Sequence, residues 1–183
     1  MSSHHVCPWW LAYTFDNPLR RLIHDPRKIL ADYVTKGMTV IDVGCGMGHF
    51  TLGLAELVGD AGQVIAVDLQ QQMLNIMLKR ATRKGLAHRI IVHRNSPAAL
   101  DIISPVDFVL AFWMIHEVED PAAFFTEIKA ILKYSGKLLY AEPTFHVSAR
   151  KYNEILNVAV KTGLSISRTL AIPFSRSVLL ENN

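Results

Sequence analysis

From residue 38 onward the apolar positions fall into two alternating patterns. Short β-branched runs, too brief for helices, read as buried strands: MTVIDVG (38–44), GQVIAVD (62–68), RIIVHRN (89–95), PVDFVLAFW (105–113) and KLLYAE (137–142). Between them, apolar residues recur at helical spacing. One helix is predicted over 49–59, closed by Gly59, and one over 70–85, with Met73, Leu74, Met77 and Leu78 on one face and Gly85 at its end. A third spans 120–136, with Asp120 as N-cap and Pro121 at the first helical position, and a fourth spans 148–163. Two last runs, LSISRTLA (164–171) and RSVLLEN (176–182), flank Pro173 with a link so short that it predicts an antiparallel edge hairpin. The expected architecture is α/β: a doubly wound, mostly parallel seven-stranded sheet with helices on both faces. Ligands of such sheets lie beyond the carboxyl ends of the strands, near the switch in strand order.

Residues 1–36 break this alternation. Trp9, Trp10, Tyr13 and Phe15 crowd into seven positions, and DPRKILADYV (25–34) reads as a short helix leading into the first strand. The 183 residues are expected to form a single domain, with 1–36 an aromatic extension or lid on a core of 37–183. Two cysteines, Cys7 and Cys45, make no disulfide framework, which suits a reduced, cytoplasmic protein. No apolar run reaches the ~18 residues of a membrane span, and MSSHHVCPWW lacks the layout of a signal peptide. The formal net charge is +3, too mild to name a partner. The densest basic cluster, KRATRKGLAHR (79–89), reads first as cations gathered at a helix C-terminus and second as a nucleic-acid patch. HHVC at the N-terminus has no recognised metal-ligand spacing, so no metal is expected.

The chemistry concentrates in VIDVGCGMGHF, where Gly44, Gly46 and Gly48 follow Asp42 at the end of the first strand. A dinucleotide fingerprint would read G-x-G-x-x-G, but the third glycine comes one residue early and His49 stands where glycine or alanine belongs. A P-loop would end in Gly-Lys-Ser/Thr, which is absent. A glycine turn exposes backbone N–H groups and a helix N-terminus to an anion. Asp42 can reach an ammonium, and Asp68, ending the second strand, can accept hydrogen bonds from ribose hydroxyls. Asp68 can equally cap the helix that starts near Gln70.

The spacing D-x-G-x-G-x-G resembles motif I of the class I S-adenosylmethionine-dependent methyltransferases. The stretch FVLAFWMIHEVEDPAAFFTEIKAILKYSGKLLYAEP is similar to the small-molecule branch, which includes the quinone-biosynthesis C-methyltransferases. The resemblance covers about 26–183 and implies a Rossmann-like methyltransferase fold, S-adenosylmethionine as cofactor and S-adenosylhomocysteine as product. It also implies in-line methyl transfer to a small, partly apolar acceptor. The implied donor site comprises Asp42, Gly44, Cys45, Gly46, Gly48, Asp68, Leu69 and Met73. Asn95 and Ser96 stand where the family usually places an aspartate on the adenine amino group, and Ala111, Phe112 and Trp113 border the methyl group.

His116 is the candidate general base, for a phenol, enol or thiol, against a plain structural use at a helix entry. Glu142 and His146 also point toward the open end of the sheet. Together with Trp9, Trp10, Tyr13 and Phe15 they are the acceptor-site candidates. The same N-terminal rings would equally serve a homodimer interface. Nucleic acid is disfavoured as a partner, because the fourth strand lacks the Asn/Asp-Pro-Pro-aromatic motif of DNA amino-methyltransferases. Two other functions stay open: an RNA or protein methyltransferase that borrows specificity from a partner, and a binding module without turnover.

Overall fold

A computed structural model describes residues 22–183. Trp9, Trp10, Tyr13 and Phe15, and with them the expected lid, lie outside the described residues.

The strands are β1 (Thr39–Val43), β2 (Gln63–Asp68), β3 (Ile90–Arg94), β4 (Val106–Phe112), β5 (Leu132–Pro143), β6 (Ser165–Leu170) and β7 (Ser175–Glu181). The helices are α1 (Pro26–Leu30), α2 (His49–Val58), α3 (Gln71–Arg83), α4 (Pro121–Ile131) and α5 (Ala149–Lys161). One seven-stranded sheet runs in the order β3-β2-β1-β4-β5-β7-β6. Its first five strands pair in parallel, and β7 runs antiparallel to both β5 and β6. The strand order reverses direction between β1 and β4, which places the crevice for a ligand beyond Val43 and Phe112.

The central strands are buried on both faces, so their apolar runs are continuous rather than alternating. Side chains still point to opposite faces in turn. Val40, Val64, Leu110 and Leu139 meet Leu30 of α1, Leu54 of α2 and Met77 of α3. Their neighbours Ile41, Ile65, Val109 and Leu138 meet Phe125 of α4 and Ile155 of α5. Helices therefore cover both faces, as the pattern predicts. α1 lies close on α2 because Gly53 has no side chain: a Cβ there would stand 2.3 Å from Pro26 Cβ.

α4 is shorter than its periodicity suggests. It opens as expected, with the Asp120 carboxylate accepting from the N–H groups of Ala122 and Ala123. It ends at Ile131, and Leu132 turns extended to pair with Val106 of β4. The side-chain amide of Asn182, just past β7, donates to Leu132 O at 2.7 Å and holds that exit. Three cations of the basic cluster 79–89 are engaged within the fold: Arg80 donates to Met47 O, Lys84 pairs with Glu56, and Arg89 pairs with Asp60 while donating to Ala55 O.

Candidate active site

The glycine turn links β1 to α2, and each of its three glycines is required for a different reason. At Gly44 a Cβ would stand 3.0 Å from Met114 Cβ, so the turn after β4 packs on bare backbone. At Gly48 it would stand 2.5 Å from Met77 Cγ, where α3 lies against the start of α2. At Gly46 φ is +53° and no described residue lies within 4 Å of the same position. Among the described residues Gly46 alone of the three faces open space, and only a backbone free of side chains lets a ligand come that close. α2 then opens on Gly48 with no side-chain cap, the helix terminus that suits a carboxylate.

Asp68 fixes this turn from the tip of β2. One carboxylate oxygen accepts from Gly46 N at 2.9 Å and the other from Gln70 N at 2.9 Å. Asp68 is not the N-cap of α3: Gln70 holds that position, with no side-chain cap hydrogen bond, and Asp68 instead ties the Gln70 N–H to the glycine turn. An ionised carboxylate offers about four lone-pair sites, so two remain for hydroxyl donors. Burial pushes the Asp68 carboxyl up, against the hydrogen bonds from Gln70 and Gly46 that pull it down. Asp42 turns beneath the loop toward α2, where Thr51 Oγ1 donates to it at 2.6 Å. It thus holds the first turn of α2. Thr51 carries no motif signal and was not foreseen.

Cys45 is buried in the turn, and its N–H continues the β1–β2 pairing by donating to Val67 O. Burial and the negative charges of Asp42 and Asp68 push its thiol well up, so it is a packed, protonated side chain. Met73 is also packed in the core. Leu69 contributes its carbonyl to Arg94. Beyond β3, Asn95 Nδ2 donates to Ser96 O, while Asn95 Oδ1 is buried with no hydrogen-bond partner. An orphaned buried acceptor is costly, and an amino group from a ligand would satisfy it. The Ser96 hydroxyl closes its own turn by accepting from Ala99 N.

At the end of β4, Ala111 is fully buried within the sheet and Phe112 packs against Phe50 and His24. Trp113 differs. Its φ is +62°, an outlier for a bulky residue, of the kind that costs on the order of 1–3 kcal/mol and collects at functional sites. Among the described residues, hydrogen bonds from its backbone N–H to Ala141 O at 2.8 Å and from its indole N–H to Ser175 Oγ at 2.9 Å hold it. Phe145 meets its ring edge-on and is 64% exposed, as Phe174 is at 60%. Phe145 beside Trp113, and Phe174 next to the Ser175 that accepts from the indole, form an exposed apolar rim at this end of the sheet.

His116 and Glu142, candidates for unrelated reasons in the sequence, prove to be partners. His116 lies in the 3-10 turn after β4 and Glu142 near the end of the adjacent β5. Glu142 is fully buried, and its two oxygens take the His116 backbone N–H at 2.9 Å and ring Nδ1 at 2.6 Å. His146 stacks edge-on against the His116 ring at 5.0 Å. Burial pushes the His116 pKa down, but the Glu142 hydrogen bond and the charges of Glu142 and Glu117 outweigh it, and the net direction is up. Among the described residues no group of His, Cys, Asp and Glu is arranged to hold a metal ion.

The strand order, with its switch point beside a glycine turn, defines a protein of the Rossmann-like α/β class. A family profile described as a methyltransferase domain matches residues 34–169. The chain belongs to that methyltransferase family. Among relatives, it is 29% identical over 109 residues to a demethylmenaquinone methyltransferase from Anoxybacillus flavithermus, covering 60% of this chain and 46% of that one. It is 31% identical over 107 residues to a ubiquinone/menaquinone biosynthesis C-methyltransferase from Shewanella frigidimarina, covering 58% and 43%. The chain thus spans about half the length of these curated relatives. A solved structure of a SAM-dependent methyltransferase from Aquifex aeolicus superposes with a TM-score of 0.86 at 24% identity, over 97% of this chain and 100% of that one. That likeness establishes the fold. Among the described residues no helix is long and apolar enough to cross a membrane.

Proposed function

We propose that this chain transfers the methyl group of S-adenosylmethionine to a small, partly apolar acceptor. The observation that carries the proposal is the order of the features along the strand tips. Asn95 follows β3, Asp68 ends β2, Gly46 follows β1, and Trp113 follows β4, in a sheet whose strands lie side by side in that order. Neighbouring strands are about 4.8 Å apart, so these groups form a row as long as an extended nucleoside with an amino-acid tail. Asn95 Oδ1 suits the adenine amino group and Asp68 the ribose hydroxyls. Gly46 and the N-terminus of α2 suit the tail carboxylate. Bound there, the donor supplies a methyl carbon activated by positive sulfur.

The rim of Trp113, Phe145 and Phe174 supports an apolar acceptor at the β4–β5 end. The relatives named for quinone biosynthesis point to an aromatic one. The engagement of Arg80, Lys84 and Arg89 within the fold supports a small molecule over a nucleic acid. The test is calorimetry with S-adenosylmethionine, S-adenosylhomocysteine and NAD on the wild type and Asp68→Ala. Both sulfur compounds are expected to bind and NAD not to, with at least about tenfold weaker binding in the variant. Tight NAD binding, or no binding of either sulfur compound, would reject the proposal.

A further inference from the structure

His116 has one ring nitrogen committed and one left over. Glu142 is a carboxylate and can only accept, so the ring nitrogen 2.6 Å from it, Nδ1, must carry the proton. The lone pair of the neutral ring therefore sits on Nε2. Nε2 makes no hydrogen bond among the described residues, and its nearest charged neighbour is Glu117 Oε1 at 3.9 Å. The second Glu142 oxygen binds the His116 backbone N–H, so the same buried side chain fixes both the main chain and the ring. With its side chain only 13% exposed, His116 is held in one orientation after β4, its ring against His146, while Phe145, one residue earlier in that loop, meets Trp113.

Resting on the methyltransferase reading, we infer that His116 is the general base of the reaction, that Glu142 positions it, and that the acceptor is therefore a protic nucleophile. A hydroxyl, enol or thiol fits; a tertiary amine or thioether, which has no proton to lose, does not need this arrangement. His116 Nε2 takes the acceptor's proton. The electron pair released on the acceptor forms the bond to the methyl carbon as the carbon–sulfur bond breaks, and that second pair stays on sulfur. The imidazolium formed is stabilised by Glu142 and returns its proton to water. A tie that only anchors the turn after β4 would account for the backbone hydrogen bond but not for a ring fixed through Nδ1, with Nε2 left without a hydrogen bond among the described residues.

The groups facing this ring are Glu142 from β5, Glu117 from its own turn and His146 from the loop after β5. Arg176, opposite Glu142 in register, turns its guanidinium to Val147 O instead. The experiment combines three readouts on the wild type, His116→Gln and Glu142→Gln. The first is calorimetry with S-adenosylmethionine, which tests the underlying reading on its own and shows that each variant is folded. The second is the 15N shift of the His116 ring across pH. The third is methyl transfer to 1,4-dihydroxynaphthalene, thiophenol and N,N-dimethylaniline between pH 5 and 9.

Donor affinity is expected within threefold of wild type in both variants. The wild-type ring is expected as the Nδ1–H tautomer. Transfer to a protic probe is expected to rise with pH through the His116 titration and then level off, with kcat down at least ~10²-fold in His116→Gln. In Glu142→Gln the rise should move to lower pH and the rate fall about tenfold. Intact donor binding with kcat of His116→Gln within twofold of wild type at every pH would overturn the inference. So would transfer to dimethylaniline alone, or no transfer to either protic probe by a wild type that binds the donor. Loss of donor binding in the wild type would instead reject the underlying reading.

Discussion

Gly46 and Gly48 both have positive φ, +53° and +86°, yet they answer to different demands. An alanine at either position carries the left-handed cost of roughly 1–2 kcal/mol. At Gly46 the new methyl meets no described residue and projects where the donor would lie. Gly46→Ala should therefore lose about 1–2 kcal/mol of stability, while its donor affinity falls more than tenfold. At Gly48 the methyl meets Met77, and overpacking of about 1–3 kcal/mol adds to the strain. Gly48→Ala should show the larger drop in urea midpoint. Paired urea titration and calorimetry check both expectations. The sequence reveals that these glycines form a ligand turn but not how they divide the work, because Met77 and Met114 reach them only through tertiary packing. His116 and Glu142 show the same limit. Each is legible as a polar residue past a strand, but their partnership across 26 positions depends on β4 and β5 being neighbours.

Among the elements, α1 lies close on α2 at Gly53. Gly53→Ala improves helix propensity by about 1 kcal/mol and forces Pro26 aside at about 1–3 kcal/mol. The clash should win by about 1 kcal/mol, read as a lower thermal midpoint, with donor affinity unchanged because Gly53 lies a full turn into α2. Nearly every strand and helix was legible from its period, since the strands are short β-branched runs and the helices carry clear end signals. The exit from α4 was not. FFTEIKAILKY keeps its helical spacing past Ile131, and nothing local stops it. The stop is tertiary: Leu132 is worth more to the sheet beside Val106 and under the Asn182 amide than in one more helical turn.

At the scale of the whole molecule, the His116–Glu142 pair links stability to pH. The His116 pKa is raised in the folded state, so the folded protein holds the proton more tightly than the unfolded chain does. Its stabilising effect is complete below the unfolded value near ~6.5 and fades as pH rises through the folded value. The stability gap between the wild type and His116→Gln should therefore be widest near pH 5.5 and narrow steadily toward pH 9. Urea unfolding of both proteins across that range measures it, and the common background cancels in the difference. A gap that widened with pH would mean that Glu142 does not favour the charged ring.

The reversal of strand order between β1 and β4 has an evolutionary consequence. On the proposed reading, the groups that recognise the common currency of methyl transfer would lie on one flank, in the loops after β1, β2 and β3, and those that choose the recipient on the other, in the segments around 113–118, 143–147 and 172–176. A lineage can rewrite the second set without touching the first. New recipients would then arise by loop replacement on an unchanged chassis, and grafting those three segments between related chains should transfer preference while leaving the nucleoside grip intact.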